Sequence, residues 1–502
     1  MGPHFLDQLF SPRAVAVFGA SPHADSVGGR VFTNLRESGF AGPLYAVNPK
    51  HDSIADAPCY PDIAAIGEAV DLAVIATPAA TVPGIVRACG EHGVRAAIVI
   101  SAGFSEDPGR GAELQKSLLE NARPYQMRIL GPNCLGLIRP VAGLNATFSN
   151  NTAAAGRLAL VSQSGALCTA ILDWADASDI GFSAVVSVGD AADVGFGDVL
   201  DYLAQDPETR SILLYVEGIR SARRFMSGLR VAARMKPVIV VKAGRQAEGS
   251  RAAVTHSGAL VGADDVFDAA LQRAGAVRAT TIQQLFAAAT LLSTPQRVRG
   301  NRIAIVTNGG GPGVMATDRA VDLGVQLAEL SATTLARLDA ALPAAWSRGN
   351  PLDVLGDASA ERYRNAVQAC LEDPAVDGVL VMLTPQAMTD PTACAEAVVE
   401  ARAGHNKPVL ACWMGEQQVQ QANRHFAQHQ LPSFTSPESS VEAFAYLSSY
   451  YHNQQLLMQV PEPVENRSLP DADGARLIIE GVLQEGRHVL TAIESKEIGR
   501  AS

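Results

Sequence analysis

Short runs of consecutive apolar residues recur along this chain of 502 residues, each closed by Gly, Pro or Ser and followed by an amphipathic stretch. An alternating run would mark a strand with one wet face. A continuous run marks a strand covered on both faces, and in a parallel sheet the intervening helices supply that cover. The first section, about residues 10–140, holds such runs at 14–18, 44–47, 72–76, 96–100 and 127–130. They end in Gly19-Ala20-Ser21-Pro22, Asn48-Pro49-Lys50, Thr77-Pro78, Ser101-Ala102-Gly103 and Gly131-Pro132-Asn133-Cys134, and residues 31–38 read as a helix. This pattern predicts a doubly wound sheet. Its ligands bind outside the carboxyl ends of the strands, where all these turns lie.

A second α/β section spans about 156–293, with strands at 158–161, 184–188, 211–216 and 238–242. Ser162-Gln163-Ser164-Gly165 opens its first helix. Gly189-Asp190 and Glu217-Gly218 end the next two strands, and a polar loop, 243–255, leads into His256-Ser257-Gly258-Ala259. A third section begins near Gly300, with a strand at 302–307 and the turn Asn308-Gly309-Gly310-Gly311-Pro312-Gly313. Strands at 376–383 and 408–413 follow, and the section closes near Tyr451. A linker at 460–463 leads to a charged tail with helical patches at 471–485. There is no short-period repeat, yet strand, Gly/Ser turn and helix head each section, around Gly19, Ser162 and Gly309.

At roughly 150 residues per domain, this length predicts about three domains. Forty Lys+Arg stand against 51 Asp+Glu, a net charge of −11. That balance argues against a broad nucleic-acid-binding face and leaves room for a local phosphate pocket. At 47% hydrophobic residues, a mainly disordered chain is excluded. Apolar runs stop at strand length, and residues 1–10 show neither a basic leader nor an apolar core, so neither a membrane span nor an export signal is expected. Cys59, Cys89, Cys134, Cys168, Cys370, Cys394 and Cys412 form no CxxC pair, which suits reduced, buried thiols of a cytoplasmic protein.

Several turns carry candidate chemistry. Gly19-Ala20-Ser21-Pro22, with Gly28-Gly29 after it, is either a simple βα turn or a phosphate site made of backbone N–H groups. The GxGxxG spacing of a nicotinamide site is absent, and Lys50 stands where an acidic residue would bind a ribose, so a phosphorylated nucleotide fits better. Ser162-Gln163-Ser164-Gly165 is a helix cap or an anion site, and it lacks the Gly-x-Ser-x-Gly pattern of a nucleophilic serine. His256, after a polar loop, is a solvated histidine or a nucleophile toward phosphate, and Glu217 at a strand end could orient such an imidazole. Asn308–Gly313 is an anion site or a close-packing turn. His425 and His429 have a metal-ligand spacing, but no third ligand is evident, so a solvated helix face and no metal are expected.

Taken in order, these motifs resemble the NDP-forming acyl-CoA synthetases, which include ADP-forming acetyl-CoA synthetase and the α chain of succinyl-CoA synthetase. The resemblance covers about residues 9–460. It rests on Val17-Phe18-Gly19-Ala20-Ser21, Val47-Asn48-Pro49-Lys50, Ser101-Ala102-Gly103-Phe104, Gly131-Pro132-Asn133-Cys134-Leu135-Gly136, Ser162-Gln163-Ser164-Gly165, Asp206-Pro207-Glu208-Thr209, Glu217-Gly218, His256-Ser257-Gly258-Ala259 and Asn350-Pro351-Leu352-Asp353. It implies an N-terminal Rossmann-like CoA-binding domain (1–145), then a flavodoxin-like, succinyl-CoA-synthetase-type phosphohistidine domain (146–296). A third flavodoxin-like ligase domain (297–460) would follow, and then a linker with the start of a truncated ATP-grasp module (461–502). The tail at 489–497 resembles that module's first helix.

By this resemblance Gly19, Ser21 and Lys50 hold the phosphates and adenine end of CoA. Thr77, Pro78, Ala102, Gly103, Asn133 and Cys134 line the path of its pantetheine arm. His256 is the histidine phosphorylated in turnover, Glu217 orients it, and Ser162, Ser164 and Gly165 face the phosphoryl group. The implied reaction interconverts carboxylate, CoA and ATP with acyl-CoA, ADP and phosphate through an acyl phosphate. ATP, ADP and Mg would enter only through an ATP-grasp partner chain or fused module, and a homo- or hetero-oligomer is expected. The family's usual Gly-Asn pair is Gly189-Asp190 here. The alternative is the acyl-CoA-sensing region of a bacterial protein lysine acetyltransferase; in many of those the histidine is lost, whereas His256 is present.

Overall fold

The computed structural model describes residues 4–105, 107, 109–177, 180–246, 248–249, 263–292, 296–459 and 472–501. They form two compact units, Met1–Leu457 and Met458–Ser502. The first unit is built on three sheets. The first sheet holds β1 (Val15–Phe18), β2 (Leu44–Val47), β3 (Ser53–Ile54), β4 (Ala57–Tyr60), β5 (Leu72–Ile75), β6 (Ala96–Val99) and β7 (Arg128–Leu130). Its order is β3-β4-β2-β1-β5-β6-β7, parallel except for the β3–β4 pair. Strand order reverses between β1 and β5, where a doubly wound sheet opens a crevice at its carboxyl edge.

The second sheet holds β8 (Gly136–Arg139), β9 (Leu144–Thr147), β10 (Ala155–Ser162), β11 (Phe182–Ser187), β12 (Ser211–Val216), β13 (Val238–Lys242) and β14 (Val277–Ala279), in the order β14-β13-β12-β10-β11-β8-β9. The β8–β9 hairpin is antiparallel, and β8 also runs antiparallel to β11. Residues 136–145 fall within the CoA-binding domain expected over 1–145, yet their strands, β8 and the start of β9, belong to the second sheet. Residues 131–135 are too short a link for the crossover that parallel strands require, so the chain passes directly into the next sheet.

The third sheet holds β15 (Arg302–Thr307), β16 (Gln326–Leu327), β17 (Leu352–Asp353), β18 (Gly378–Leu383), β19 (Val409–Trp413) and β20 (Ser433–Phe434). All its pairs are parallel, in the order β16-β15-β18-β19-β20, with β17 beside β15. Here order reverses between β15 and β18, as it does between β10 and β12.

Side chains alternate across each strand, so a buried strand feeds two cores. Ala16 and Phe18 point into a core of the first sheet alone, whereas Val15 and Val17 share a core with Ala159 and Val161 of the second. Leu158 and Leu160 share the next core with Ile303 and Ile305 of the third sheet. Ala304 and Val306 fill the last. The second unit holds the helices Ala472–Gln484 and Ala492–Ala501, on which Leu477, Ile479 and Ile493 are exposed. Among the described residues no helix is long and apolar enough to cross a membrane.

Candidate functional site

The first crevice is shaped by glycine. Gly19 follows β1 at φ +84°, and a Cβ there would stand 2.5 Å from the Ala76 carbonyl oxygen across the reversal. Gly28 packs as closely, its Cβ position 1.9 Å from the Gly19 oxygen. Ser26 caps the helix Val27–Glu37 by accepting from Gly29 N at 3.1 Å. At the end of β2, Asn48 Nδ2 donates to Ala20 O (2.7 Å) and Asn48 Oδ1 accepts from Lys50 N (3.0 Å). This draws the turns that carry Ser21 and Lys50 to one edge, and the Lys50 side chain stays exposed.

Behind that edge lies a cavity of about 1110 Å³ between the first two sheets. Thr77, Ala102, Asn133 and Cys134 line one wall, and Ser164, Gly165 and Glu217 line another. Gly19, Ser21, Lys50, Pro78, Gly103 and Ser162 are not on its walls. The first wall is neutral, with hydroxyl, amide and backbone groups (Thr77, Ser101, Asn133), which suits the amides of a pantetheine arm. Burial pushes the Cys134 thiol far up, so it stays protonated, a wall rather than a nucleophile.

A seam holds the two walls in register. Asp190 N donates to Pro132 O (3.0 Å) and Ala192 N to Gly131 O (3.0 Å). Arg128 Nε and Ile129 N both donate to Asp193 Oδ2, at 2.8 and 2.9 Å. Gly189, at φ +52°, has no room for a Cβ, which would lie 2.4 Å from the carbonyl oxygens of Pro132 and Asn133. Asp190, the departure from Gly-Asn, lines the cavity and accepts from Ser105 N at 3.4 Å.

The second wall is the start of the helix Gly165–Ala177. Ser162 Oγ accepts from Ser164 N (3.1 Å) and donates to Ser164 O (3.0 Å), and Ser164 Oγ accepts from Leu167 N (3.3 Å). The helix therefore presents free-turn N–H groups and its positive dipole end to the cavity. Gln163 points sideways: its Oε1 accepts from Glu217 N (2.7 Å) and Gly218 N (3.0 Å). Among the described residues the cavity wall carries one cation, Arg220, and two carboxylates, Asp190 and Glu217. Gln163, Asp190 and Arg220 had no role in the sequence reading. Gln163 lay inside a quoted motif, and Arg220 follows Glu217-Gly218 by two residues. His256, its motif and most of the 243–255 loop lie outside the described residues.

In the third section, Thr307 Oγ1 and Gly309 repeat the Ser162–Ser164 turn, with Gly309 N donating at 3.1 Å and Thr307 Oγ1 donating to Gly309 O at 2.9 Å. Gly310–Asp322 is the helix it opens. His429 is exposed, and its Nδ1 lies 2.9 Å from the backbone oxygen of His425. All seven cysteines are free and buried. Among the described residues no group of three or more His, Cys, Asp or Glu is placed to hold a metal.

Three domain families match the chain: a CoA binding domain over residues 13–140, a succinyl-CoA ligase like flavodoxin domain over 155–292, and a ligase-CoA domain over 303–457. The chain is 41% identical over 490 residues to acetate–CoA ligase [ADP-forming] I of Archaeoglobus fulgidus, spanning 97% of this chain and 69% of that one. It is 38% identical over 448 residues to the α subunit of acetate–CoA ligase [ADP-forming] I of Pyrococcus furiosus, spanning 88% of this chain and 97% of the subunit. Its fold is similar to acetyl-coenzyme A synthetase 1 of Ca. Korarchaeum cryptofilum, solved with phosphate and ADP: TM-score 0.81 at 35% identity, covering 90% of this chain and 98% of that one.

Proposed function

Because the chain belongs to the family of ADP-forming acetate–CoA ligases, which are acid–thiol ligases, we propose that it interconverts acyl-CoA, ADP and phosphate with carboxylate, CoA and ATP. The observation that carries this reading is a single cavity with a neutral wall from the first sheet and a helix N-terminus from the second. A thioester can thus meet a phosphoryl group without leaving the protein. The division into 1–145, 146–296, 297–460 and 461–502 goes with this reading, although β8 and β9 set the edge of the second sheet earlier. The alternative, the sensing region of a lysine acetyltransferase, finds no support in these ligase relatives.

The roles are carried over from the family resemblance, residue by residue. Gly19, Ser21 and Lys50 hold the phosphates and adenine end of CoA at the exposed edge. Thr77, Pro78, Ala102, Gly103, Asn133 and Cys134 guide its pantetheine arm. Ser162 and Ser164 shape the turn that aims the first N–H groups of the helix, from Gly165 on, at the transferring phosphoryl group, and these donors stabilise its charge. His256 takes that group from the acyl phosphate as nucleophile, releasing the carboxylate, and Glu217 holds the imidazole in orientation. The step between histidine and nucleotide, with Mg, belongs to an ATP-grasp module, either fused or on a partner chain.

The test uses this chain alone. With acetyl-CoA and radiolabelled phosphate, the chain should release CoA and acetate and take up an acid-labile label. His256→Asn should abolish the label. If that variant labels as well as the wild type, the reading fails.

A further inference from the structure

We propose that Gln163 is the positioning residue of the phosphoryl site, fixing the Glu217 carboxylate against the helix that receives the phosphoryl group; this rests on the function proposed above. The last register pair between β10 and β12 is Ser162 with Tyr215. Gln163 N still donates to Tyr215 O, at 3.3 Å. Past that pair, the N–H groups of Glu217 and Gly218 meet the Gln163 side chain. The Gln163 side-chain oxygen accepts from both, at 2.7 and 3.0 Å.

Three hydrogen bonds therefore tie residue 163 to residues 215–218. Its neighbours, Ser162 and Ser164, build the turn that starts the helix. One tripeptide thus sets both the donor end of the helix and the strand end that bears the carboxylate. A phosphoryl group carried on an imidazole needs both in register: N–H donors for its oxygens, and an acceptor for the ring N–H.

The third sheet contains the same device built from other residues. Asn308, the first residue after β15, spans the reversal to β18: its Oδ1 accepts from Thr384 N (2.8 Å) and its Nδ2 donates to Thr384 O (2.9 Å). In the first sheet the same place is Gly19, where the near approach of Ala76 leaves no room for an amide. What recurs is an amide bridge across the reversal. In the second sheet it ends on the backbone N–H of an acidic residue, Glu217, that lines the cavity.

Gln163→Met removes the acceptor at nearly constant size. In the acetyl-CoA and labelled-phosphate assay it should slow labelling by roughly ten- to hundred-fold, the scale of losses when a reacting group is misplaced. Half-saturation by acetyl-CoA should stay within about twofold of the wild type. In a Glu217→Gln background the same substitution should cost no more than about twofold further, since the positioned group is already gone. Gln163→Glu keeps an oxygen before both N–H groups and should label at least about ten times faster than Gln163→Met. Should the Met variant not fold, Gln163→Ser, which admits water at the amide position, takes its place with the same expectation. Undiminished labelling of Gln163→Met, or a full multiplicative loss in the double variant, overturns the proposal alone. No label on the wild-type chain overturns the parent reading with it.

Discussion

Gly19 and Gln163 occupy equivalent places after the central strands of their sheets, and only the first could be read from sequence. A glycine that ends an apolar run and precedes a helix declares a turn with φ > 0. The structure adds the second constraint, the Ala76 oxygen 2.5 Å from where a Cβ would sit. Gly19→Ala is thus strained in backbone and in space. It should destabilise the chain by at least about 1–3 kcal/mol and weaken CoA binding, because Gly28 and the helix Val27–Glu37 rest on the Gly19 carbonyl. Thermal unfolding and calorimetric titration with CoA check both, and an unchanged midpoint with unchanged affinity refutes them. Gln163 gave no such signal. In the chain it is an amide between two serines, and its partners lie 54 and 55 residues away. Its role exists only because β12 lies beside β10 while β11 takes the other side.

Elements were legible where periodicity was undisturbed and lost where it was not. β2, β12, β13 and β15 lie where continuous apolar runs predict them. The helix expected at 31–38 begins at Val27, because Gly28 and Gly29 look like a turn yet are helical residues buried at close approach and capped by Ser26. The β8–β9 hairpin was missed because it follows directly on the last strand of the first sheet yet pairs wholly within the second, and a buried ion pair anchors it. Arg139 of β8 donates to both Asp206 carboxylate oxygens, at 2.8 and 3.3 Å, and Thr209 Oγ1 donates to Oδ2 at 2.7 Å. Burial pushes the Asp206 carboxyl up, but Arg139 and Thr209 outweigh it and hold the carboxyl below its ordinary value. A folded pKa below the unfolded one, about 3.9, gives stability that is present above that value and lost as pH falls through the folded pKa. Acid unfolding below about pH 4 should therefore draw on this pair. Asp206→Asn leaves the Arg139 charge buried, with its side chain 9% exposed. It should cost about 3–5 kcal/mol near neutral pH and less in acid. Denaturant titrations at pH 7 and pH 3.5 measure the difference, and an equal cost at both refutes the assignment.

At the scale of the molecule, the sequence announced three sections but not how they are joined. Domains within a chain commonly meet at small, polar faces and move against one another. Here the outward side chains of one sheet enter the same core as those of the next: Val15 and Val17 with Ala159 and Val161, then Leu158 and Leu160 with Ile303 and Ile305. These residues are buried, so separating any two sheets exposes apolar core rather than wet surface. Such sharing couples their unfolding, because loss of one sheet strips a face from its neighbour. The cavity lies at the first of these junctions, between walls that the 188–194 seam holds together. The unit Met1–Leu457 should therefore melt in one cooperative transition, not three. CoA, bound only by the folded state, should move that whole transition. At a hundred times its dissociation constant it adds about 2.7 kcal/mol, or about 3 °C for a unit of this size. Scanning calorimetry with and without CoA decides the matter. A single endotherm displaced intact is expected, and a trace that splits, with CoA shifting only one component, would show that the shared cores do not couple the sheets.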